Sequence, residues 1–166
     1  MGIAFRVVKS SYYERPKKIS PSKLVVEHAV GKAKGAKVSA IHGLVLGADT
    51  IVYCRGRVLG KPKTISEAVK MLTFISGRTH FVYTGAALRD LASGKIVKGF
   101  EKSKVYVKGL SRKEILAYIP KVNSLDKAGA YAIQIKPRIV EKIEGSHSNV
   151  VGLPKKLLRQ LLRALS

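Results

Sequence analysis

The segment Gly43-Leu44-Val45-Leu46-Gly47-Ala48-Asp49-Thr50-Ile51-Val52-Tyr53-Cys54 reads as one strand, and that reading decides the fold. Arg55-Gly56 turns the chain into the return stretch Arg57-Val58-Leu59. Asp49 follows the apolar run Leu44-Val45-Leu46 and the small pair Gly47-Ala48, which places a carboxylate at the mouth of a buried strand. Open α/β sheets bind their ligands at such strand ends.

Working outward, helical and strand signals alternate. Upstream, residues 3–8 read as a strand and Ser10–Ser20, with Pro16, as an exposed loop. A helix then starts at Ser20, with Pro21 in the first position, where a missing N–H is tolerated. Leu24, His28 and Lys32 share one of its faces at i, i+4 spacing, with Val25 and Ala29 beside them. Downstream, Thr64-x-x-Glu67 is a capping box, Ala68, Met71, Leu72 and Ile75 form the apolar stripe, and Gly77 stops the helix. His80–Leu88 and Ile96–Val107 read as strands joined around Ala92-Ser93-Gly94. Ser111-x-x-Glu114 caps a third helix that ends by Pro120. Residues 129–135 and 138–144 are expected as two more strands. Leu157, Leu158, Leu161, Leu162 and Leu165 give a closing helix its buried face, with Arg159, Gln160 and Arg163 on the wet side. Hairpins interrupt the alternation, so the expected class is α/β, with a mixed twisted sheet and flanking helices.

The length of 166 residues suits one domain spanning 1–166. A single cysteine, Cys54, excludes an internal disulfide and fits a reducing cytoplasm. No apolar run reaches the roughly 18 residues that span a bilayer, and Met1-Gly2-Ile3-Ala4-Phe5-Arg6 does not read as a signal peptide. Thirty-two Lys and Arg against 10 acids give a formal charge of +22. Such a field draws anions: nucleotides, RNA, DNA or acidic membrane surfaces. The basic residues are spread along the chain, however, and with no Trp and scattered Tyr the stacking platforms for single strands are thin, so charge alone does not name the partner.

Chemistry concentrates in three islands: Gly47-Ala48-Asp49-Thr50, Gly60-Lys61-Pro62, and Asp126-Lys127-Ala128-Gly129-Ala130-Tyr131-x-x-Gln134. A carboxylate such as Asp49 can hold a hard divalent cation through oxygen, with phosphates completing the shell. Ala-Gly-Ala lets backbone approach a flat ligand closely, and Gln134 can donate and accept, reading a base edge or holding a water. His147 and Ser148 lack the third member of a catalytic triad. His28, His42 and His80 make no metal-ligand spacing with Cys54, so no zinc site is expected, and the Walker spacing is absent. Acid, lysine and glycine at strand ends point to nucleotide chemistry.

The islands, in their order, resemble the Maf family of nucleoside triphosphate pyrophosphatases. Gly2-x-x-Phe5, Glu14, Lys32-Ala33, Gly47-Ala48-Asp49-Thr50, Gly60-Lys61-Pro62, Ser76-Gly77-x-x-His80, Thr84-Gly85, Asp126–Tyr131, Gln134 and Gly145-Ser146-x-x-Asn149-Val150-Val151-Gly152-Leu153-Pro154 carry the resemblance over essentially the whole chain. It implies a two-lobed Maf/ITPase-like domain that hydrolyses a nucleoside triphosphate between its α- and β-phosphates. A Mg²⁺ or Mn²⁺ ion and a homodimer are implied as well, and the Asp-Lys-Ala-Gly-Ala-Tyr form looks like the dTTP/UTP-preferring branch. By position, the resemblance makes Asp49 the key carboxylate, on the metal or as base toward water, with Glu14 assisting. Lys32 and Lys61, with Thr50 and Lys127, would hold phosphate, and Gln134 would orient water or contact the nucleotide. Family members open with a strand and a Ser-x-Ser-Pro-Arg-Arg loop; the sequence here starts at the Gly2-x-x-Phe5 stretch, and an in-frame Ser-x-Ser-Pro-Arg-Arg upstream of Met1 is the expectation. The alternative expectation is a Maf-like nucleotide- or nucleic-acid-binding module without turnover.

Overall fold

The computed structural model describes residues 3–15 and 17–165, so Gly2 of the Gly2-x-x-Phe5 stretch and Pro16 of the expected loop lie outside the described residues. Helix α1 spans Pro21–Lys34 and strand β1 Leu44–Cys54; β2 is Arg57–Leu59, α2 Ile65–Ile75, β3 Thr79–Asp90 and β4 Ile96–Val107. Then come α3 (Arg112–Val122), two short 3₁₀ turns at Ser124–Asp126 and Ala128–Ala130, β5 (Val140–Glu144), α4 (His147–Val151) and α5 (Lys155–Arg163). One five-stranded sheet runs in the order β2-β1-β3-β4-β5 with helices flanking it, an α/β architecture. Among the described residues no helix is long and apolar enough to cross a membrane.

The local signals produce the local elements. The Thr64 hydroxyl accepts from the Glu67 N–H at 3.1 Å at the start of α2. Ser111 and Glu114 satisfy each other's backbone N–H groups at the start of α3. The α3 helix runs through Pro120 to Val122, two residues past the expected end, and stops at Asn123 in the left-handed region.

Three expectations are corrected. Every pairing in the sheet is antiparallel, where a mixed sheet was expected, because β1–β2 and β3–β4 are hairpins and the longer connections also return the chain in reverse. Residues 3–8 form no strand: Ile3, Phe5 and Val7 are exposed, and the segment's far end is tied to the C-terminus of α1 through Ser11 N–H to Gly35 O and Lys37 N–H to Lys9 O. Residues 129–135 form no strand either, because Gly129 (φ 67°) and Ala130 (φ 65°) turn the chain into the left-handed region. Of the stretch 138–144, Val140–Glu144 is β5.

The sheet's two faces are covered unequally. Val52, Val82, Val105 and Val107 point to the face that packs on α2 and α3, where the largest core lies. Leu158 and Leu161 of α5 cover Ala86 and Leu88 on the same face. On the opposite face, Ala29 and Ala33 of α1 pack on Val45 and Ala87. Here backbone meets backbone: a Cβ at Gly47 would stand 2.1 Å from Ala29 O, and one at Gly85 2.2 Å from Val25 O. Glycine alone leaves room for that approach. Because β2 pairs only with Val52–Cys54, the edge of β1 from Leu44 to Ile51 has no strand partner on that side among the described residues. The site opens along this edge.

Candidate active site

Asp49 sits on β1 facing α1 and is 7% exposed. The close α1–β1 approach brings two side chains of α1 onto its carboxylate. Asp49 Oδ2 lies 3.0 Å from His28 Nδ1, and Oδ1 accepts from Lys32 Nζ at 2.6 Å. Lys32 Nζ also lies 2.6 Å from Glu14 Oε1, so one ammonium bridges a buried acid and an exposed one. Burial works against the charge on Lys32, but the hydrogen bonds and charges of Asp49 and Glu14 together outweigh it and raise the amine above its usual range.

A second charged group lies on the other wall. Lys61 Nζ donates to Asp126 Oδ1 at 2.6 Å, and Lys127 Nζ stands 3.5 Å from Asp126 Oδ2. The Lys61 ion pair leads the influences that hold the Asp126 carboxyl below its usual range. These groups are exposed, so their pairing is soft and salt-sensitive. The 3₁₀ segment that carries Asp126 and Lys127 is fixed from behind. Gly129 N–H donates to Gly60 O, and the Tyr118 hydroxyl both donates to Ala132 O at 3.1 Å and accepts from Ala132 N–H at 3.0 Å. Tyr131 Oη lies 2.8 Å from His80 Nε2, and both rings are buried.

Between the two walls lies a cavity of ≈ 890 Å³ lined by all seven residues named from the sequence: Glu14, Lys32, Asp49, Thr50, Lys61, Lys127 and Gln134. Its size suits a nucleotide. Thr50 does not join the Asp49 group, since successive strand residues face opposite ways; its hydroxyl pairs with Thr84 Oγ1 at 3.0 Å. Asn149, fully buried, donates to Val82 O and Ser103 Oγ and so pins α4 against the sheet beside Thr50.

His28 was missed as a functional residue. The signal was its i, i+4 spacing to Lys32; what the sequence hid was the opposite partner, Asp49, across the α1–β1 contact. Ligand atoms of Glu14, His28 and Asp49 lie within 4.8 Å of one another. Two carboxylates and an imidazole supply oxygen and nitrogen donors that can hold a divalent metal ion, and the residues therefore fit the cation expected from the sequence. His28 Nε2 is buried with no hydrogen-bond partner among the described residues, a polar atom left available in this group.

His80 plays a different part. Burial pushes its imidazole down to about 4, so the folded protein holds it neutral against Tyr131. The unfolded chain takes up that proton nearer 6.5. The stability this group contributes is therefore complete above pH 6.5 and is lost as pH falls through 4, an effect of about 3 kcal/mol. Urea unfolding at the two ends of that window is expected to show the loss, and His80→Gln is expected to flatten it. An unchanged pH slope in the variant would assign the acid sensitivity elsewhere.

A family model described as Maf-like protein matches residues 1–165. The chain is similar to a dTTP/UTP pyrophosphatase of Thermoanaerobacter sp. (strain X514), 44% identical over 165 residues that make up 98% of this chain and 86% of that protein. It is 42% identical over 156 residues to the dTTP/UTP pyrophosphatase of Methanococcoides burtonii, covering 93% of this chain and 80% of that protein. To the protein of that name from Citrifermentans bemidjiense it is 46% identical over 159 residues, 92% and 80% of the two chains. With a family model matched almost end to end and relatives this similar, the chain belongs to the Maf family.

Proposed function

We propose that this protein hydrolyses nucleoside triphosphates, with dTTP, UTP and modified pyrimidine forms as substrates, to the monophosphate and pyrophosphate, clearing the nucleotide pool. The observation that carries the reading is the buried Asp49 carboxylate, held on both oxygens by His28 and Lys32 at the edge of a nucleotide-sized cavity. The relatives named dTTP/UTP pyrophosphatase support the same chemistry.

Phosphoryl transfer asks a protein for positioning and charge neutralisation rather than covalent chemistry. Glu14, His28 and Asp49 are the residues that would hold a Mg²⁺ or Mn²⁺ ion, which supplies Lewis-acid polarisation of phosphate oxygens and a more acidic water. Asp49 orients the attacking water, because its two anchors fix the direction of its remaining lone pairs. Glu14, exposed and tied to Asp49 through Lys32, assists at the rim. Lys32 stays charged and, keeping its bond to Asp49, turns its third N–H toward the α-phosphate as negative charge builds there. Lys61 and Lys127 leave Asp126 for the β- and γ-phosphates, and Thr50, which lines the same cavity, donates to phosphate by turning its hydroxyl from Thr84 Oγ1. Gln134, on the far wall, contacts the base or a water.

Pyrophosphate release from dTTP, UTP and CTP with Mg²⁺ or Mn²⁺ tests the reading. Folded protein that releases none from any of them would sink it. We also infer a cytoplasmic homodimer: light scattering is expected to give twice the chain mass, and the chain mass itself would overturn the dimer.

A further inference from the structure

The face of the sheet that carries α1 is only partly covered, and what lies beyond the helix is chemically distinctive. Cross-strand neighbours share a face. Tyr53 stands opposite Phe81 on β3, Phe81 opposite Lys104 on β4, and Tyr83 opposite Lys102. Tyr106 on β4 faces Lys142 on β5. Rings far apart in the sequence are thereby gathered into one patch. The Tyr83 ring lies 6.3 Å from both Tyr53 and Phe100, and Phe100 is 46% exposed.

Lysines are interleaved with these rings. Lys102 Nζ sits 3.9 Å above the Phe81 ring and 5.5 Å from that of Tyr83, while Lys104 and Lys142 flank Tyr106 at 4.9 and 5.4 Å. The acid in the patch, Glu144, is already paired with Lys142 and Lys104 and accepts from the Tyr106 hydroxyl. The patch is therefore positive and aromatic, with Phe100 and Lys102 exposed and the other rings half-buried. Neither its rings nor its lysines line the Asp49 cavity; Tyr83 packs on the far side of the cluster formed by Leu24, Val25 and Ile51.

We propose that this face is a binding platform for single-stranded nucleic acid, separate from the nucleotide cavity. Exposed rings on a sheet, with cations between them, stack bases and neutralise the intervening phosphates, and such platforms tolerate any sequence because every base has a π-face. A base that takes the face of Phe81 or Tyr83 frees the Lys102 ammonium for a phosphate. The formal charge of +22 supplies long-range attraction, and the patch supplies the preference for unpaired strands. A second copy of the chain is the poorer occupant. Docked face to face, it would set Lys102, Lys104 and Lys142 against their own images with Glu144 already engaged.

Fluorescence anisotropy with labelled oligonucleotides of about 12 residues, single-stranded and duplex, tests this. The intact protein is expected to bind the single strand more tightly than the duplex, in RNA or DNA form, with excess dTTP making no difference. Phe100→Ala is expected to weaken single-strand binding about tenfold, and Lys102→Gln to reduce the salt slope of log K by about 0.7. Both variants are expected to keep pyrophosphate release, or in its absence their melting temperature, which keeps this test apart from that of the enzyme. Lys113 and Lys155 are exposed on helices remote from the patch, so the double variant Lys113→Gln/Lys155→Gln serves as the charge control. Equal affinity for duplex, no effect of Phe100→Ala, or a control as weak as Lys102→Gln would reduce the binding to diffuse charge and overturn the platform. A dimer that Phe100→Ala splits would give the face to a second copy and overturn it equally.

Discussion

Asp49→Asn is expected to lower the rate of pyrophosphate release from dTTP by about 10³-fold, the usual scale for losing a positioned acid–base group. The substitution keeps the shape and a hydrogen-bond acceptor for His28 or Lys32, but it removes the charge that both groups are arranged around. Lys32 keeps Glu14 as a partner, so the ammonium is not stranded and the fold should survive. An unchanged melting temperature with lost turnover is the expected pair of results. Calorimetric titration with Mn²⁺ adds a second readout, since affinity should fall if Asp49 is a ligand in the Glu14–His28–Asp49 group. Residual turnover within tenfold of the original would remove Asp49 from the chemistry.

Gly85→Ala should act from farther away. The added Cβ would stand 2.2 Å from Val25 O and 2.7 Å from Val26 N, both main-chain atoms of α1 that cannot swing aside. The helix must lift, and overpacking of this kind costs about 3 kcal/mol at its upper range. Lifting α1 also carries His28 and Lys32 away from Asp49, and misplacement by about 1 Å can reduce a rate about 10²-fold. Chemical denaturation and kinetics on the same sample check both effects. Gly109→Ala, whose Cβ meets nothing within 4 Å, should leave both unchanged. If Gly85→Ala were as mild as that control, the contact would not be what seats the helix.

The elements that were legible in the sequence are those whose signals are local. Capping residues mark α2 and α3, Arg55-Gly56 and Ala92-Ser93-Gly94 mark the hairpin turns, and β1 follows from its own apolar run. Residues 3–8 have a strand's composition, but a strand exists only where a neighbour supplies the ladder. The stretch 129–135 reads as extended until the left-handed pair Gly129-Ala130 folds it into a turn against Val52. In the site, the seven motif residues do line one cavity. His28 escaped notice because its partner lies across a helix–sheet contact that only Gly47 and Gly85 permit. The aromatic patch was hidden for the same kind of reason: positions 53, 81, 83, 100 and 106 look scattered until strand register sets them side by side.

The cavity's two walls are built differently. The Asp49 wall is set by main chain against main chain at Gly47 and Gly85, a distance that no choice of side chain can adjust. The opposite wall, from Asp126 to Gln134, hangs on the Tyr118 hydroxyl, the His80–Tyr131 pair and the Gly129-to-Gly60 bond. Each of those tethers can be lengthened, shortened or replaced by a single substitution. Lineages of this protein can therefore redraw what the cavity admits along one side while the reacting groups on the other stay where they are.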